Sequence, residues 1–109
     1  MNSKPIEMYT REEVESSMPY VKKNLELSQE IYDATAERLG LIKALPADAF
    51  MPLNPQFSFE TNRDFAANSQ RKQIATMEAE LNSIQTKIDA SADYIIQLQN
   101  RLEDLNKDE

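Results

Sequence analysis

Residues 74–105 read IATMEAELNSIQTKIDASADYIIQLQNRLEDL, and their spacing decides the fold. Apolar side chains recur at alternating steps of three and four: Ile74, Met77, Leu81, Ile84, Ile88, then Ile95, Leu98, Leu102 and Leu105. Ser91 fills the one remaining seam position. A helix turns about 100° per residue, so this spacing gathers all of them into one narrow stripe. Ile and Leu dominate the a positions, with Met, Ile, Ser, Leu and Leu at d, which is the pattern of a coiled-coil seam. With Thr61 or Asn62 as caps, the spacing predicts one helix over about 62–106, roughly 65 Å long. Such a helix is not stable alone and must lie against another. Because Ile at a with Leu at d leans towards two strands, the seam is expected to pair with a second copy across a two-fold. The flanking charges form few clear pairs and leave parallel against antiparallel open.

Working upstream, residues 45–62, LPADAFMPLNPQFSFETN, interrupt the helical pattern with Pro46, Pro52 and Pro55. Pro46 stops the preceding helix, and the other two hold the connection extended. The loop is expected over 46–61, with QFSFET able to form a short extended segment. Two long helices joined in this way fold back antiparallel most simply. Phe50, Phe57 and Phe59 are expected to close the end of the hairpin or to dock a partner there.

Before the loop, residues 19–45 carry two apolar stripes about 130° apart. One holds Met18, Val21, Leu25, Tyr32, Leu39 and Ile42; the other holds Tyr20, Leu27, Ile31, Ala34, Leu41 and Leu45. Opposite them runs an acidic row, Glu26, Glu30, Asp33 and Glu37. A helix of this kind meets two neighbours while its third side faces water. Thr10 and Glu13 form a capping box that starts the helical region. Pro19 falls too deep for a first-turn proline and implies either a kink or a break; the two serines before it favour the break, giving helices at 10–17 and 19–45. Residues 1–9 are expected to be an extended lead. The fold class expected is all-α: an antiparallel helical hairpin, or coiled coil, with a short N-terminal helix, one domain over 10–109, assembling into a multi-helix bundle.

Composition excludes most chemistry. The 109 residues include one Gly and neither Cys nor His. Glycine-rich phosphate cradles, thiol nucleophiles, thiolate zinc sites and the usual neutral-pH base are therefore missing. The acids of the polar row lack the histidines of di-metal bundles, so neither enzyme activity, a metal nor a cofactor is expected. The net charge of −7, with no clustered Lys or Arg, disfavours nucleic acid. No apolar run approaches membrane-spanning length, and the start MNSKPIEMYTREE has no signal core. A cytoplasmic protein without a membrane partner is expected, with leaderless export left open.

Two functions compete on these residues. A hairpin leaves one stripe of its first long helix uncovered, which points to self-association as a homodimer or larger homo-oligomer with a structural or assembly role. Alternatively, the acidic row docks on a basic protein target, as an inhibitor, adaptor or secretion chaperone would. The motif PLNP at residues 52–55 resembles the P-x-x-P turn of needle subunits of type III secretion systems, small helical hairpins that polymerise. That resemblance implies a polymerising subunit. This chain departs from the pattern in its greater length, its larger loop and its more regular heptads.

Overall fold

The computed structural model describes residues 4–50 and 56–107. Two long helices pack as an antiparallel hairpin: α1, Arg11–Ala44, and α2, Phe59–Lys107. Short 3₁₀ turns occupy Ile6–Met8 and Ala47–Phe50, and the described residues contain no strand. The chain forms two compact units, one from Met1–Glu30 with Ile84–Glu109, the other from Ile31–Ser83.

The start of α1 follows the expected capping box. The Glu13 amide donates to Thr10 Oγ1 at 3.2 Å, and the Thr10 amide donates to Glu13 Oε1 at 3.1 Å. Lys4 Nζ reaches the same carboxylate oxygen at 2.6 Å. That ammonium, and then the Thr10 amide, hold the Glu13 carboxyl below its ordinary value. The lead before it is not simply extended. Pro5 is extended, but Ile6–Met8 closes a 3₁₀ turn, with the Met8 amide bonded to the Pro5 carbonyl at 2.9 Å.

The expected break at Pro19 does not occur, and the separate 10–17 and 19–45 helices are corrected to one continuous α1. Pro19 and Glu15 are both exposed. The missing amide and the Glu15 carbonyl it would have served therefore lie on the wet side, where water can satisfy the carbonyl. Val14 before the proline is fully buried, and Val21 after it is half-buried, so packing holds the helix on both flanks.

The far end of α1 lacks a glycine cap. Instead the Gln70 amide of α2 donates to the Ile42 carbonyl at 3.1 Å and the Leu45 carbonyl at 2.8 Å. The Ile42 carbonyl also accepts from the Leu45 amide at 3.3 Å, so Gln70 adds a second bond there and supplies a donor to the Leu45 carbonyl just past the helix end. The start of α2 also differs from expectation. Ser58, not Thr61 or Asn62, is the cap: its Oγ accepts from the Thr61 amide at 3.1 Å and donates to Thr61 Oγ1 at 2.9 Å. An earlier cap lengthens the helix, and Glu60 in its first turn faces the positive end of the dipole. Phe59 is therefore helical, and QFSFET is not an extended segment.

Within the first unit, Val14 and Leu98 are fully buried and Ile95 nearly so. Met18, Val21 and Leu25 of α1 are half-buried, as are Ile84, Ile88, Leu102 and Leu105 of α2. Within the second unit, Leu39, Ala66 and Met77 form the buried core, flanked by half-buried Tyr32, Ile42, Ile74 and Leu81. The heptad seam thus faces inward in both units, against the Met18–Ile42 stripe of α1.

Candidate functional site, an outward apolar face on α1

The 74–105 seam was expected to meet a second copy. Its nine apolar members are all buried or half-buried within the single chain. Of the α1 residues singled out, Leu25, Tyr32, Leu39 and Ile42 share this interior, whereas Leu27 and Ile31 do not. In the first unit Tyr20 is 71% exposed and Leu27 is also open; in the second Ile31, Leu41 and Leu45 are open, Leu41 at 61%. Ala34 is exposed as well. Single exposed apolar residues are ordinary, but these recur along one helix at steps of three, four and seven.

That row continues through two polar residues. Asn24 and Arg38 are exposed and fall between its apolar members. Taking Asn24, Ile31, Arg38 and Leu45 as a positions places Tyr20, Leu27, Ala34 and Leu41 at d. Both stripes of α1 therefore carry coiled-coil spacing, and one of them is left exposed by the described residues. The second seam is harder to see in the sequence because polar residues interrupt it twice.

Beside this face, in the first unit, lies an open groove of about 590 Å³ lined by Ser16, Ser17, Tyr20, Val21, Asn24, Ala90, Ser91 and Tyr94. Its origin is legible: Ser91 stands at a d position with Ala90 before it, opposite Ser17, where larger side chains would have filled the space between the helices.

In the second unit, Phe57 and Phe65 make a tilted ring contact, with centroids 5.7 Å apart and planes at 53°. Both are about half-exposed, and Phe59 is more open still. The Phe50 side chain and residues 51–55, which include Pro52 and Pro55, lie outside the described residues. Glu26, Glu30, Asp33 and Glu37 are all exposed. Asp89 and Asp93 are also at the surface, accepting from Gln85 at 2.9 Å and Gln97 at 2.7 Å. Among the described residues no group of three or more acids could hold a metal ion. No described helix is long and apolar enough to cross a membrane.

One arrangement had no local signal. The Tyr9 and Tyr94 hydroxyls lie 2.9 Å apart, and Arg101 Nε donates to the Tyr9 carbonyl at 2.9 Å. This clasp ties the N-terminal lead to α2 across more than eighty residues of sequence. The Tyr9 hydrogen bond, then burial, raise the Tyr94 phenol above the ordinary tyrosine value of 10.0. The unfolded chain therefore loses this proton first, so the clasp's contribution is complete below that value and fades as pH rises through the folded one. Melting temperature is expected to fall as pH rises above about 10, and less steeply in Tyr94→Phe. An equal slope in both proteins would show that the clasp is not populated.

No protein-family model, curated protein or solved structure matches this chain.

Proposed function

We propose that the protein is a non-enzymatic helical interaction protein that assembles with copies of itself. The outward row of α1 supports this reading: large aliphatic and aromatic side chains at coiled-coil spacing, open to water on the single chain. Covering such a row removes apolar surface from water, at roughly 25 cal/mol per Å². A second helix laid along it completes a bundle in which each α1 meets two neighbours. The role is structural, with the work done by association.

The experiment is mass in solution by light scattering across micromolar concentrations. A mass of two or more chains is expected. Ile31→Lys, at an exposed position, should return it to one chain while leaving helix content unchanged. A wild-type protein that stays a single chain up to about 100 µM, in the affinity range of weak association, ends this reading.

The exposed acidic row supports a second reading, docking on a basic protein surface. Exposed charges are screened within about 10 Å at 0.1 M salt, so binding to a basic target would weaken steeply as salt is raised. Self-association through aliphatic side chains would not.

A further inference from the structure

We propose that the groove of the first unit is a binding site for one small, uncharged aromatic compound that carries hydrogen-bonding groups. The ring of the ligand lies against Tyr20 and Tyr94, and its polar groups bond to Ser16, Ser17 and Asn24. The assignment uses the first unit alone, and it stands whether or not the protein self-associates.

Size and charge set the first limits. The groove holds about 590 Å³, within the roughly 300–1,000 Å³ of small-ligand pockets. Charged residues make up 28% of the chain, yet none of the eight lining residues has a formal charge. An ion entering the groove would leave water for a wall without a counter-charge. An anion would also be repelled by the net charge of −7. A neutral ligand avoids both costs.

The tyrosines select a ring. The Tyr94 hydroxyl is already bonded to that of Tyr9 at 2.9 Å, so Tyr94 offers the groove its ring rather than its hydroxyl. That bond, with the Arg101 bond to the Tyr9 carbonyl, holds this wall in place before a ligand arrives. Tyr20 is 71% exposed, and a ring laid against it removes apolar surface from water. Paired aromatic rings also attract beyond the area they bury.

The small polar residues select what the ring carries. Among the described residues, the side chains of Ser16, Ser17, Asn24 and Ser91 have no hydrogen-bond partner. A purely hydrocarbon ligand would strip water from these groups and return no bond. A sugar would bring hydroxyls on every side, and Val21 and Ala90 give them no side-chain partner.

The chain has no Trp, so an indole probe reports its own binding. N-acetyl-tryptophanamide, which is uncharged, is titrated with the full-length protein and excited beyond the tyrosine band. Its emission should shift to the blue and saturate. The expected dissociation constant is about 0.1 mM, from the usual ligand efficiency of a molecule of about eighteen non-hydrogen atoms. The anion N-acetyl-tryptophan and the cation tryptamine should each bind at least about tenfold more weakly.

Ser16→Leu and Ser91→Leu fill the groove from α1 and α2 respectively. Each should weaken the amide about tenfold or more, with circular dichroism confirming native helix content. Tyr20→Phe keeps the ring and should stay within about threefold of wild type, whereas Tyr20→Ala should lose as much as the filled variants. Absence of a saturable shift overturns the proposal. So does a charged probe that binds as tightly as the amide, or amide binding that survives both leucine variants.

Discussion

Leu98→Ala should cost about 2–5 kcal/mol of unfolding free energy, the range for emptying a well-packed leucine site. Leu98 and Val14 are the two largest side chains with no exposed surface, and they belong to the same unit. Domains of this size hold about 5–15 kcal/mol in total, so the variant sits near the edge of folding at physiological temperature. Urea denaturation followed by circular dichroism measures it, at one fixed protein concentration, because association couples to stability. Leu102→Ala is the comparison. Leu102 is only half-buried, so its removal leaves a smaller void and a smaller loss. Equal costs at the two positions would mean that the interior around Leu98 is not closed.

Pro19→Ala should act in the opposite direction. Proline inside a helix costs about 3 kcal/mol against alanine, through a lost hydrogen bond and a clash with the preceding turn. Against this, proline restricts the unfolded chain, which is worth about 0.4–1 kcal/mol to the folded state. The net expected gain is about 2 kcal/mol, seen as a rise in melting temperature of roughly 10 °C at the scaling for small domains. The restored amide would donate to the Glu15 carbonyl on the exposed side of α1. No gain would mean that the helix is parted at Ser16–Ser17 in solution, since a proline at the start of a new helix carries no such penalty.

Some elements were legible residue by residue. The Thr10–Glu13 box forms as written, because both partners lie within one turn and need nothing from the rest of the chain. The 74–105 stripe was legible as one apolar side of a helix, but not its partner: expected to meet a second copy, it is covered within the chain. The two stripes of α1 were also legible, and the one holding Leu39 became core while the one holding Ile31 stayed outside.

Other features escaped. Ser58 caps α2 three residues ahead of the equally plausible Thr61, a choice between neighbouring polar residues that local chemistry barely separates. Gln70 caps α1 from the other helix, 28 residues from Ile42, and no short-range pattern announces such a bond. The Tyr9–Tyr94 clasp is more distant still.

By itself the sequence determined that this chain is helical, that it turns back once, and that its first long helix has more apolar surface than one neighbour covers. Periodicity and the placement of proline are local properties, readable without coordinates. Only the tertiary structure decided which α1 stripe is inside, that Pro19 is carried within an unbroken helix, and that small side chains at Ser17, Ala90 and Ser91 leave a groove. Those outcomes depend on packing between residues far apart in the chain, where the cost of a void or a lost hydrogen bond is set by the neighbours present.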